Sequence, residues 1–301
     1  MAAMRIAVTG ASGLIGGALT TALARAGHDV VRLVRREPQA ADEIRWDPAR
    51  RVLDPGALSG CGAVVHLAGA GVGNRRWTEA RKKELYDSRV RGTATIAAAA
   101  AAADSPPGVL LCGTAIGFYG DTADRWVDED SPPGEGFLAE LVQDWEAAAE
   151  PAAAAGIRTA FARTGLVVAR EGGAWGRLFP LFKAGLGGRL GNGRQFWSFI
   201  ALHDEIAAMQ YILDTPALSG PVNLTAPEPL TNREVTAAMG RVLHRPTLAA
   251  VPAPVLRVAL GEFAGDVLGS QRVRPKRLVE SGFTYAFPEI EQAIAAALRT
   301  G

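Results

Sequence analysis

Arg5-Ile6-Ala7-Val8-Thr9-Gly10-Ala11-Ser12-Gly13-Leu14-Ile15-Gly16 is the stretch on which the reading of the fold turns. Arg5 to Thr9 is a short β-branched run and reads as a strand. It leads straight into glycines at 10, 13 and 16, then into a helical pattern from Leu14 to Ala26 closed by Gly27. A Gly-x-x-Gly-x-x-Gly turn between a strand and a helix is a dinucleotide-binding signature, and the context on both sides is what the motif requires. The first glycine permits the tight turn, the second lets a pyrophosphate approach the backbone, and the third lets the helix pack on the strand. The helix N-terminus then offers free N–H groups and a partial positive charge to the anion. Gly10, Ser12, Gly13, Leu14, Ile15 and Gly16 are therefore candidate cofactor-binding residues. The competing reading, a glycine-rich connection without a ligand, does not require this placement.

The next strand, Asp29 to Val34, decides which cofactor. NAD-binding chains place an Asp or Glu about 20 residues after the glycines to bond the ribose hydroxyls. Here the strand ends Leu33-Val34-Arg35-Arg36. A carboxylate repels a 2′-phosphate, whereas an arginine fork grips one through two charge-assisted bonds. The expected cofactor is NADP(H), with Arg35 as the first candidate and Arg36 as the second. Both could instead be solvated surface residues.

Outward from this unit the first half alternates strand and helix. Ala63 to Leu67, Val109 to Cys112 and Thr159 to Val168 read as strands; Thr78 to Ala103 and Leu138 to Ala155 read as helices. Such alternation predicts βαβ units and a parallel sheet covered on both faces. After Val168 the texture changes: Gly172 to Gly193 is glycine-dense, a helix follows from Asp204 to Leu213, and a strand from Pro221 to Leu224. The predicted class is α/β, a Rossmann-type doubly wound parallel sheet with a smaller, mainly helical C-terminal lobe. The dinucleotide-binding domain covers 1–168 with 200–225 returning to it, and the lobe covers 169–301.

The 301 residues carry a net charge of +1, which gives no electrostatic footprint for nucleic acid or an anionic membrane. Cys61 and Cys112 show no metal-ligand spacing and make no disulfide framework, so a reducing cytoplasm is the expected setting. No signal peptide or membrane span is read. His66 follows two valines and reads as a packing residue, and no metal site is expected.

Several further strings carry a family resemblance. They are Val64-Val65-His66-Leu67-Ala68-Gly69-Ala70, Ser88-Arg89-Val90-Arg91-Gly92-Thr93, Thr114-Ala115-Ile116-Gly117-Phe118-Tyr119-Gly120, Asp144-Trp145-Glu146, Arg163-Thr164-Gly165 and Gly191-Asn192-Gly193-Arg194-Gln195. With these, nearly the whole chain resembles the extended short-chain dehydrogenase/reductase superfamily. More narrowly it is similar to the atypical epimerase-family branch that ends in a small domain of unassigned function. The resemblance implies that Leu67, Ala68, Gly69, Arg89 and Thr164 join the cofactor site. A nucleotide-sugar label on this family is an analogy of fold, which does not carry function.

In the superfamily, chemistry rests on a Ser/Thr, a Tyr and a Lys four residues later. Thr114 matches the first. Counting back from Glu146, the Tyr and Lys positions fall on Leu138 and Val142, neither of which moves a proton. An acid/base must come from elsewhere. The candidates are Tyr119, beyond the carboxyl end of the strand bearing Thr114, and Arg89, which stands where the superfamily has Asn and could supply the missing positive charge. A packed loop aromatic and a structural ion pair are the bland alternatives. The arginine that holds a diphosphate in nucleotide-sugar enzymes corresponds, aligned on Asp204, to Trp197, which argues against such a substrate. Trp175, Phe179, Trp197 and Asp204 are the substrate candidates, although the aromatics could equally pack the lobe onto the core.

Two functions follow. One is an NADP(H)-dependent oxidoreductase, or an epimerase working by transient oxidation, on a small molecule that the sequence does not identify. The other is a non-catalytic protein that senses NADP(H) and signals through its C-terminal lobe. A homodimer through the alanine-rich helix is possible on either.

Overall fold

The computed structural model describes residues 3–299. The first half of the chain forms β1 (Arg5–Thr9), β2 (Asp29–Val34), β3 (Glu43–Arg45), β4 (Ala63–His66), β5 (Val109–Ala115) and β6 (Arg158–Thr164). Between them lie α1 (Leu14–Arg25), α2 (Glu79–Ala101), α3 (Phe137–Ala147) and α4 (Glu150–Ala154). Then come β7 (Leu166–Val168), α5 (Trp175–Lys183), β8 (Gly188–Leu190), β9 (Phe196–Trp197), β10 (Phe199–Ala201), α6 (Leu202–Asp214) and β11 (Gly220–Leu224). The C-terminal part adds β12 (Leu230–Thr231), α7 (Asn232–Leu243), β13 (Ala249–Val251), α8 (Ala253–Leu260), α9 (Ala264–Leu268), α10 (Lys276–Glu280) and α11 (Ile290–Arg299).

Seven strands make one sheet in the order β11-β6-β5-β4-β1-β2-β3, every neighbouring pair parallel. Successive strand residues point to opposite faces. Ile6, Val8, Val65 and Leu111 pack with Leu19 and Leu23 of α1 and Met209 and Ile212 of α6. Ala7, Val64 and Leu110 pack with Ile96, Ala97 and Ala100 of α2. The sheet is thus wound on both faces, which is the predicted class. The order in which strands are added switches sides between β1 and β4, and a doubly wound sheet opens its ligand crevice at the carboxyl ends beside such a point.

Two departures from the sequence reading have local causes. The helix expected over Leu138 to Ala155 breaks into α3 and α4, because Pro151 has no N–H and starts a new helix in its first turn. The strand expected to run to Val168 leaves the sheet at Gly165, and β7 pairs with β10 in a separate small sheet. A Cβ at Gly165 would stand 2.6 Å from the Ser198 carbonyl oxygen, so only glycine allows this crossing. Of the segment 200–225, α6 and β11 reach the main sheet, and Leu224 lies opposite Thr164.

A third core cluster gathers Trp175, Phe179 and Phe182 of α5 with Phe199, Val235, Met239 and Ile294. Leu278 of α10 sits in the same core as β1 and α1, so the C-terminal part is packed onto the sheet as well as onto itself. Among the described residues, no helix is long and apolar enough to cross a membrane.

Candidate functional site

A cavity of about 1100 Å³ opens at the carboxyl ends of β1, β2 and β4. Its floor is the Gly10 to Gly13 turn, and the backbone geometry explains the glycines. Gly10 has φ +68°, and a Cβ there would stand 2.7 Å from the carbonyl of Leu67. A Cβ on Gly16 would stand 2.1 Å from the carbonyl oxygen of Gly10. The turn closes through Gly13 N–H on the Gly10 carbonyl at 2.9 Å. Leu14 opens α1 and Ile15 leans on the core; neither side chain lines the cavity.

Thr9 fixes the adjoining exit of β4. Its hydroxyl oxygen accepts the N–H of Leu67 at 3.0 Å and of Ala68 at 3.1 Å. With its lone pairs used, its proton goes to His66 Nδ1, 2.8 Å away. His66 is fully buried, burial lowers its pKa to about 4, and its proton sits on Nε2, which has no partner. It is a neutral packing residue.

At the β2 end the arginines divide. Arg32 forks onto Asp42, both bonds 2.9 Å. Arg36 forks onto Glu43 at 2.7 and 2.6 Å. The Arg36 bonds, then the Gln39 N–H, hold the Glu43 carboxyl down to about 2. Arg36 also lines the cavity, but its fork is taken by a carboxylate on β3. Arg35 is exposed, lines the cavity and has no acidic partner among the described residues.

At the inner end lie Gly69, Ala70 and Ser88, the last accepting the Ala70 N–H at 3.1 Å. Arg89 stands behind Gly69: its Cζ would be 3.5 Å from a Gly69 Cβ. It is 8% exposed, donates to the Leu85 carbonyl at 3.3 Å and lies over the Trp145 ring at 5.0 Å. Burial first, and Arg81 second, lower its pKa to about 10.

The remaining expected catalysts are tied into a buried chain of bonds. Thr114 donates to Glu146 at 3.1 Å, and Glu146 accepts Arg163 through both oxygens, at 2.8 and 2.7 Å. Arg163 also donates to the Tyr119 hydroxyl at 3.1 Å, and Tyr119 donates to Asn223 at 2.9 Å. Tyr119 is 2% exposed, and burial pushes its pKa up to about 12 against the opposing pull of Arg163. The role proposed for Tyr119 is corrected: its hydroxyl is filled as donor and as acceptor. Thr114 keeps lone pairs but has given its proton away. Leu138 and Val142 offer nothing in exchange, and Val142 is packed against Ile116 and Phe118.

The other sequence candidates lie elsewhere. Thr164 donates to Glu205 at 2.7 Å. Glu205 is buried with Oε2 unpartnered, and burial raises its carboxyl to about 8. Asp204 accepts the N–H groups of Ala286 and Phe287, both at 2.9 Å, so it clasps the C-terminal segment and is corrected as a substrate residue. Trp175 and Phe179 are 1% exposed in the third core cluster and are corrected likewise. Trp197 lies on β9, paired with β12. The sequence reading did not foresee the pairing of Glu146 with Arg163. The available signal was a charged residue inside a buried strand, which demands a countercharge. Among the described residues, no cluster of three or more His, Cys, Asp or Glu could hold a metal ion.

Residues 6–224 match the NAD dependent epimerase/dehydratase family, and residues 251–297 match a domain of unknown function, DUF1731. An epimerase family protein of Mycobacterium bovis is 47% identical over 298 residues, covering 99% of this chain and 98% of that one. The crystal structure of the human epimerase family protein SDR39U1 (isoform 2) with NADPH is 34% identical, with a TM-score of 0.91 over 99% of this chain and 100% of that one. A structure described as the nucleoside-diphosphate sugar epimerase from Corynebacterium glutamicum is 33% identical, with a TM-score of 0.81 over 99% of this chain and 58% of that one.

Proposed function

The chain belongs to the NAD dependent epimerase/dehydratase family, in its atypical extended short-chain dehydrogenase/reductase branch, and from that premise we propose that it is an NADP(H)-binding oxidoreductase. The observation that carries the reading is the cavity that joins the glycine turn to Arg35. Gly10 and Gly16 let the chain take this tight turn and pack the helix against it, where any side chain would collide with the backbone of Leu67 or of Gly10. Glu43, the acid nearest the β2 end, is spent on Arg36, so no free carboxylate repels a 2′-phosphate there. Arg35 remains to grip one. The human relative whose structure was determined with NADPH supports the same choice.

The bound cofactor supplies or accepts hydride. The chain orients it through the glycine turn and the Thr9-locked exit of β4, and shields it with Gly69, Ala70 and Ser88. Among the described residues, Thr114 and Tyr119 already give their protons to Glu146 and Asn223, so on this reading the proton of any reduction comes from water or from the substrate itself. Calorimetric titration with NADPH and NADH, repeated on Arg35→Ala, tests the reading. NADPH should bind far more tightly, and the variant should erase the difference. Failure of both nucleotides to bind defeats the proposal.

A second reading, a non-catalytic NADP(H) sensor, is favoured by the closed Thr114–Glu146–Arg163–Tyr119 chain, which withholds both hydroxyls from a ligand. Stereospecific hydride transfer from NADPH to any acceptor ends that reading.

A further inference from the structure

Among the described residues, no carboxylate pairs with Arg89. Its guanidinium donates to a single backbone carbonyl, that of Leu85, at 3.3 Å and otherwise meets the Trp145 ring and the bare backbone of Gly69. The acids on the two helices that enclose it are engaged elsewhere. On α2, Glu79 pairs with Lys82, Glu84 with Arg81, and Asp87 with Lys83 and Arg91. On α3, Asp144 accepts from Tyr86 and Glu146 is held by Arg163, while Glu140 is exposed to solvent. The neighbouring Arg81 adds positive charge, and its own Nε has no partner. A buried, unpaired guanidinium is costly and acts over a longer range than one in water.

Gly69 forms part of the cavity wall, and lacking a side chain it leaves only backbone between this charge and the space beyond. With its phosphates on the Gly10 to Gly13 turn and at Arg35, a dinucleotide has the part of the cavity at the exit of β4 left for its nicotinamide. NADP⁺ and NADPH differ there by one positive charge, carried on the ring of the oxidised form. On the reading of the site as an NADP(H) site, we infer that Arg89 makes it selective for redox state, so that it binds NADPH in preference to NADP⁺. Repulsion between unit charges felt across about 8 Å at an effective dielectric of about 20 corresponds to about thirtyfold in affinity. The bound couple is then shifted by about 45 mV in favour of the reduced form, by the two-electron conversion of that ratio.

The experiment compares calorimetric Kd values for NADPH and NADP⁺ on the full chain and on Arg89→Met and Arg89→Lys. Methionine fills similar volume against Trp145 and removes an uncompensated buried charge, a change that cores tolerate. Arg89→Gln, uncharged but still a donor, repeats the test if the methionine variant does not fold. The expected result is an NADPH preference of about thirtyfold in the parent protein. It should collapse to within about threefold in the uncharged variants, mainly by tighter NADP⁺ binding, and survive in Arg89→Lys. Equal affinities in the parent protein, or a preference that persists without the charge, overturn the inference and leave the NADP(H) assignment standing. Binding of neither nucleotide overturns both.

Discussion

Replacing Glu205 with glutamine should stabilise the protein by an amount that grows with pH. Glu205 is fully buried in the first turn of α6; Thr164 donates to its Oε1 at 2.7 Å and its Oε2 has no partner. Burial raises its carboxyl from the ordinary 4.5 to about 8. The unfolded chain therefore releases this proton near the ordinary value, while the folded chain holds it until about 8. Between those values the folded state binds more protons than the unfolded one, so the Glu205 contribution to stability falls as pH rises. At about 1.36 kcal/mol per unit, the loss is roughly 3 kcal/mol at neutral pH and levels off near about 5 kcal/mol above the folded value.

Glutamine keeps an acceptor for Thr164 and cannot ionise, so it removes this slope and leaves every other titration in place. Urea unfolding of both proteins, read as the difference in unfolding free energy, isolates the one group. The difference should lie within about 1 kcal/mol at the acid end of the window and reach about 3 kcal/mol in favour of Glu205→Gln at neutral pH. A difference that stays flat from acid to alkaline pH refutes the argument, because the carboxyl would then be ionising at its ordinary value in the folded protein.

Arg35→Ala should weaken NADPH binding by about ten- to hundredfold and leave NADH unchanged, as expected for a lost charge-assisted fork, while Arg36→Ala should act mainly by freeing Glu43; calorimetry on both variants checks this. Gly16→Ala should abolish nucleotide binding and lower the melting temperature, since its Cβ would stand 2.1 Å from the Gly10 oxygen; tight NADPH binding by that variant would contradict the geometry. Tyr119→Phe strands Arg163 Nη1 and Asn223 Oδ1 and should cost about 1–3 kcal/mol by denaturant unfolding, with NADPH affinity unchanged.

What could be read in the sequence was what depends on neighbours along the chain. The Gly10 to Gly16 turn needs only its flanking strand and helix, so pattern and placement disclose it. The alternation of strand and helix likewise discloses the doubly wound sheet. Arg35 and Arg36 are adjacent, and nothing local separates them. The difference is Glu43, on a strand of three residues too short to show periodicity, which takes one arginine and leaves the other. Tyr119 stands where a catalyst could stand, beyond the carboxyl end of a strand, but its burial is decided by Asn223 on β11, 104 residues away. Asp204 offered a carboxylate at a helix start, and only the folded chain brings the N–H groups of Ala286 and Phe287 to it. Function-like chemistry in a sequence is sorted from structural chemistry by long-range partners, which a linear reading does not contain.

On the proposed oxidoreductase reading, the replacements at the superfamily's catalytic positions also narrow the reaction. Leu138 and Val142 occupy the positions of the superfamily's acid and its supporting lysine, and Glu146 and Arg163 neutralise each other while drawing off the Thr114 proton. What remains beside Gly69 is a fixed positive charge with no proton to give, because Arg89 stays charged well above neutral pH even when lowered to about 10. Fixed charge stabilises negative charge as it develops on a substrate oxygen, without any proton moving. It does not replace a general acid where a localised alkoxide must be quenched. The arrangement therefore suits acceptors that spread the charge after hydride arrives, such as conjugated carbonyls and quinones, and not simple ketones. Following NADPH oxidation by absorbance across such a panel tests this. Conjugated acceptors should turn over at least about tenfold faster than saturated ketones, a barrier difference of about 1.4 kcal/mol, and Arg89→Met should shrink that gap. Faster turnover of a saturated ketone or secondary alcohol would mean that a proton donor does reach the inner end of the cavity.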